Sequence, residues 1–204
     1  MDGGFRPVST MSEAFMTVDL TGRTFDLLGT EDAVLHAVRV ALSANGARHS
    51  GVHADILIVA SLLLPGGSAR NDTPLQTIAD AGRAMTGGGR IVFLLSALGG
   101  LPMRRHIEYS AAMASAVASM RGLAMQLAPS VLVNAVGAGV IESDAGELLA
   151  GDRHMLTHAS LGRPGSLADI TNAVLFLCDP LNTYTTGQLL TVDGGWSVGY
   201  GRNF

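Results

Sequence analysis

Tyr109 and Met113 lie four residues apart in EYSAAMASAV (108–117), a stretch that reads as helix, so their side chains share one face. A phenol is a useful proton donor or acceptor only if its surroundings set its pKa, and a thioether one turn away supplies no charge and no donor. His106 stands three residues before the tyrosine, where an imidazole could act as base in a non-redox reaction. As a single histidine in a loop entering a helix, it reads more readily as a surface residue. His154 and His158 are four apart, a spacing that suits two ligands of one metal, but no third ligand is evident and no metal is expected. Cys178 is the one cysteine, which excludes an internal disulfide and a thiolate zinc cage.

Strands and helices must hold these groups in place. DILIVAS (55–61), RIVFLLS (90–96) and SVLVNAVG (130–137) are short, apolar and β-branched, as in a parallel sheet covered on both faces. GQLLTVDGG (187–195) reads as a fourth strand, and helical patterns run at about 31–44, 73–86, 109–127 and 167–178. The alternation predicts a doubly wound α/β fold with a parallel sheet. FMTVDL and RTFDLL flank Thr21 and Gly22 and read as two short strands, a candidate hairpin. The glycine clusters PGGSARND (65–72) and TGGGR (86–90) read as turns. No repeat or low-complexity linker interrupts the chain, so residues 1–204 are expected to form one domain.

Of the 204 residues 48% are hydrophobic and only 15% charged, below the roughly 25% usual for a domain, which points to surface covered by other subunits. The longest apolar run, ILIVASLLL (56–64), is too short to span a bilayer, and MDGGFRPVST lacks the features of a signal peptide. A cytoplasmic protein without membrane partners is therefore expected. Net charge is −4, all 13 basic residues are arginine, and no basic patch suggests nucleic acid.

From about Asp55 to its end the chain resembles the short-chain dehydrogenase/reductase family. GGGRIVFLLSALGG resembles the strand leading to that family's active-site serine, which places Ser96 there, and Tyr109 follows at the family's spacing of 13 residues. VLVNAVGAGVIESD (131–144) is similar to the next strand and its Pro-Gly turn, with Ala138 at the proline position and Ser143 where the nicotinamide amide is contacted. LGRPGSLADITNAVLFLCDPLNTYTTGQLLTVDGGW (161–196) is similar to the last helix and strand, and Asp19 in VDLT matches an aspartate near the adenine. The resemblance implies a Rossmann-like sheet, a tyrosine that moves a proton while hydride moves, and a lysine that lowers that tyrosine's pKa.

Three departures from the family's pattern shape the expected function. No TGxxxGxG turn is found, so the chain is expected to begin after most of the first nucleotide-binding half, leaving the sheet truncated there. Val59, Ala60, Ser61 and Leu62 stand in place of Asn-Asn-Ala-Gly, with Leu62 expected to obstruct a nucleotide, and the family's active-site asparagine has no counterpart. Met113 replaces the lysine. Bringing a phenol from pKa 10 to 7 takes about 4 kcal/mol, and of the nearby residues only Arg104, Arg105 and Arg121 carry a cation. The expected reading is a catalytically inactive subunit, with Ser96 and Tyr109 as remnants of the catalytic site and no cofactor bound by this chain. An active paralogous dehydrogenase would hold NAD or NADP in a two-plus-two hetero-tetramer, contacted through helix 109–127 and the tail GWSVGYGRNF. Two alternatives are a self-contained isomerase, lyase or cyclase using Tyr109 and Ser96, and an active NAD(P)-dependent reductase with a rearranged cofactor site.

Overall fold

The structure, a computed structural model, describes residues 16–51, 54–61, 63–65 and 73–199. Its elements run β1 (Thr24–Leu28), α1 (Ala33–Ala44), β2 (Arg48–His49), β3 (Ile56–Ala60), α2 (Leu75–Ala84) and β4 (Gly89–Ser96). They continue with α3 (Ile107–Leu127), β5 (Val131–Ala138), β6 (Ile141–Glu142), β7 (Leu148–Ala150), α4 (Leu167–Cys178) and β8 (Leu189–Val192). Six strands form one parallel sheet in the order β2-β1-β3-β4-β5-β8, while β6 and β7 make a separate antiparallel pair.

The alternation of side chains along each strand divides the core in two. Ile56, Ile58, Val92 and Leu94 point toward α1 and α4; Leu57, Val59, Ile91 and Phe93 point toward α2 and α3. Both faces are covered, so β3 and β4 are buried throughout, each large side chain contributing about 1.5–3 kcal/mol. At the amino end of β4 the buried Arg90 guanidinium donates to the carbonyls of Gly88 (2.8 Å), Gly89 (3.2 Å) and Asn182 (3.0 Å). It ties the turn before β4 to the loop after α4.

The first part of the chain differs from expectation. Residues 16–20 form no strand, residue 15 lies outside the described residues, and β1 pairs in parallel with β3 (Phe25 opposite Ile56) instead of closing a hairpin. β1, α1 and β2 form a parallel strand–helix–strand unit ahead of β3, where most of a first half was expected to be missing. What is short is the outer part: β2 has two residues, and a connection of six residues leads from it to β3. The reading failed because β1 lies beside this small edge strand, is only partly buried, and carries Asp26 in place of a continuous apolar run. Asp19 lies at the opposite end of the sheet from an adenine site, since its neighbour Val18 donates to Asn45 Oδ1 (2.7 Å) at the C-terminus of α1.

Candidate functional site

Chain direction across the sheet reverses at β1 and β3, which lie side by side although β2 comes between them in sequence. In an open parallel sheet the crevice beyond the carboxyl ends at such a switch is where ligands bind. Its floor here is the exit of β1 at Gly29, the exit of β3 at Ser61 and the start of α1. Gly29 has φ +134°, and a Cβ there would sit 2.7 Å from the Ala60 carbonyl oxygen, so only glycine lets the two exits pass so closely. Asp32 caps α1, its carboxylate accepting the Leu35 N–H at 2.8 Å, and Glu31 is paired with Arg39 at 2.7 Å.

A dinucleotide fits this crevice in part. The strand–turn–helix and the helix N-terminus suit a pyrophosphate, and Gly29 keeps the turn open to it. Ala33 and Leu35 stand where further glycines would allow closer approach, and the Asp32 carboxylate opposes a second anion. This turn escaped sequence reading because it has one glycine, although the capped helix after it was legible. Val59 and Ala60 are buried within β3; Leu62 lies outside the described residues.

Ser96 ends β4 and Tyr109 sits in the first turn of α3, and the structure brings their hydroxyls into a hydrogen bond. Ser96 is fully buried, and its Oγ accepts the Leu98 N–H at 3.2 Å, which leaves its O–H to donate to the phenol. Burial pushes the Tyr109 phenol well above its ordinary range, and the Ser96 bond offsets only part of that rise. Met113 is 2% exposed and packs in the same apolar cluster, so no cation reaches the phenol from that side. The pair therefore holds a proton firmly on Tyr109.

His106 is not a free surface residue. Its Nε2 lies 2.7 Å from Asp152 Oδ2, which joins the start of α3 to the turn of residues 153–157. Burial raises the Asp152 carboxyl, but the His106 bond, the His154 N–H and both histidine charges outweigh it and hold the group below its usual range. Asp152 is 46 residues from His106, and no sequence pattern links the two. Ser143 follows β6, and its hydroxyl accepts the Glu147 N–H at 3.1 Å within the β6–β7 hairpin. Among the described residues no group of three or more His, Cys, Asp or Glu is placed to hold an ion, at His154 and His158 or elsewhere. No helix among these residues is long and apolar enough to cross a membrane.

A profile of the Enoyl-(Acyl carrier protein) reductase family matches residues 72–197. The 3-oxoacyl-(acyl-carrier-protein) reductase FabG of Aquifex aeolicus is 39% identical over 110 residues, covering 52% of this chain and 44% of that protein. The 7alpha-hydroxysteroid dehydrogenase of Escherichia coli is 34% identical over 113 residues, covering 53% of this chain and 44% of that one. The chain thus spans about half the length of the curated relatives it matches. The structure of the Bacillus cereus enoyl-acyl carrier protein reductase with NADP+ and indole naphthyridinone superposes with a TM-score of 0.71 at 21% identity, covering 90% of this chain and 99% of that one. These findings correct two expectations. Relatives named as reductases and a dehydrogenase overturn the reading of an inactive subunit that supports a paralogue. The expectation that this chain binds no cofactor falls with it: a neighbour in fold is solved with NADP+, and the opening strand, turn and helix thought missing are present.

Proposed function

Because the chain belongs to the short-chain dehydrogenase/reductase family, a family of oxidoreductases, we propose that it is an NAD(P)-dependent reductase of a carbonyl substrate. Residues 1–204 are read as one such domain. The observation that carries the proposal is the buried hydrogen bond between Ser96 and a Tyr109 phenol held in its neutral form, at the carboxyl end of β4. The nicotinamide, when bound, supplies the hydride. Gly29 and the first turn of α1 would hold its pyrophosphate, and the ends of β4 and β5 would face its ring.

Everything else is done by the chain's own side chains. Tyr109 donates its proton to the substrate oxygen as negative charge gathers there, and Ser96 keeps the phenol oriented. An alkoxide is a far stronger base than a phenolate, so a phenol with a raised pKa still gives up its proton in this direction. The reverse reaction needs a phenolate, which burial next to Met113 makes scarce. Oxidation of an alcohol at this site therefore calls for high pH, whereas reduction proceeds with the phenol in its ordinary protonated form. The test is oxidation of NADH and NADPH with a panel of small ketones and 3-oxoacyl thioesters at neutral pH. Turnover by the purified protein, falling about 100-fold or more in Tyr109→Phe, supports the proposal. Absence of turnover with both nucleotides, or an unaffected Tyr109→Phe, overturns it.

Assembly belongs to the same proposal. α3 leaves Ile107, Ala111, Ala114 and Met125 exposed, a face that suits a second subunit of the family, identical or paralogous. Light scattering on the chain, alone and co-expressed with a relative, tests it: a monomer in both would remove it.

A further inference from the structure

Beside the start of α3 lies a cavity of 710 Å³ that the chemistry above does not use. Its walls are the loop 101–105, the turn around His154 and His158, and the stretch 196–199. Every titratable side chain lining it is basic: Arg104, Arg105, His154 and His158. Among the described residues neither Arg104 nor Arg105 has a carboxylate partner, unlike Arg39, Arg83, Arg153 and Arg163. In a chain of net charge −4 this concentration of positive charge is a local feature, not a sample of the surface. Apolar groups line it as well, with Leu101, Met103 and the largely buried indole of Trp196 foremost.

The cavity is also held open by bonds of its own. Met103 N–H donates to Ser110 Oγ (3.2 Å) and fixes the loop to α3. The His106–Asp152 pair (2.7 Å) fixes the turn of residues 153–157 to the same helix end. Asp193 accepts the N–H groups of Gly195 (2.9 Å) and Ser197 (3.0 Å), which sets the third wall. A preformed cavity of this size, lined by apolar groups and by two arginines, suits a small ligand with an apolar body and a compact oxyanion. Arg105 lies in the loop that leads directly into α3, the helix whose first turn carries Tyr109.

We propose that this cavity binds the substrate's anionic end, a carboxylate or a phosphate, and that Arg104 and Arg105 are its recognition residues. The inference rests on the oxidoreductase reading for the word substrate, but its test does not depend on turnover. Trp196 is the only tryptophan, so its fluorescence reports occupancy of the cavity directly. The chain is titrated with hexanoate, hexyl phosphate and the neutral hexanol, and the same series is run on the Arg104→Gln/Arg105→Gln variant. One anion or both should saturate the signal at a concentration about tenfold or more below hexanol, and the variant should lose that advantage while binding hexanol unchanged. The tighter of the two anions identifies the head group. Anions that bind no better than hexanol, or a variant that binds them as the parent does, overturn the proposal. A saturating signal in a protein that turns over no ketone would keep this cavity and remove the reductase reading; the opposite pair of results would do the reverse.

Discussion

Burial raises the Tyr109 phenol, and Met113, one turn along α3, offers no charge to offset it. With no cation beside it, the Tyr109 phenol stays protonated through the neutral range, so ketone reduction should depend little on pH between 6 and 9, whereas alcohol oxidation should keep rising with pH without a plateau. Initial rates in both directions across that range check this; a plateau in oxidation near neutrality would show a cation that the geometry lacks. The same shift acts on stability. Below the ordinary phenol range both folded and unfolded chains keep the proton and Tyr109 adds no pH dependence. Above pH 10 the unfolded chain loses it first, so stability falls as pH rises, and Tyr109→Phe should blunt that fall. Met113→Lys should pull the phenol down and bring the rise of the oxidation rate to a lower pH. It should also cost about 3 kcal/mol or more, because the position is 2% exposed and a buried ammonium needs a partner. Thermal denaturation and the two initial rates, measured on one preparation, separate these effects.

At the scale of elements, the start of α1 sets how the chain meets a phosphate. Asp32 already occupies the N-terminal N–H of Leu35, and its charge competes with any anion brought there. Asn caps as well as Asp, so Asp32→Asn should leave the melting temperature nearly unchanged and tighten NAD(P)H binding about two- to fivefold. Calorimetric titration checks it, and unchanged affinity would mean the pyrophosphate lies elsewhere. β3, β4 and β5 were legible because burial on both faces writes itself as continuous apolar sequence, and the Ser96–Tyr109 spacing carried through to a hydrogen bond. β1 was read as a short strand, but its parallel place beside β3 was not, since TFDLL beside a two-residue neighbour has no such continuous pattern, and the turn after it keeps one glycine of the expected set. The His106–Asp152 contact could not be read at all: it depends on how a distant turn folds back on α3.

Across the whole molecule, two apolar layers share one sheet, and Arg90 is the polar bolt at its amino end. Its guanidinium serves three carbonyls from two separate loops, so Arg90→Leu removes their shared donor and strands the buried Gly89 carbonyl. A loss of about 2–3 kcal/mol is expected, with the active side of the sheet unaffected. Urea denaturation measures the first, and nucleotide binding by the folded variant the second. A variant as stable as the parent would show that water replaces the guanidinium.

The short β2 has one more effect, on how these molecules behave toward each other in concentrated solution. It pairs with β1 only at Thr24 and Phe25, so among the described residues no strand covers the rest of that half-buried edge, where another chain's backbone could add itself. Asp26 guards this border: its carboxylate takes the Leu27 N–H (2.8 Å), the donor an incoming strand would seek, and lies 3.4 Å from His49 Nε2. Asp26→Val removes the guard and adds β-propensity at the same point. Samples of this variant should scatter more light with rising concentration than the parent at equal fold content, and equal scattering would show that the open border is harmless without its charge.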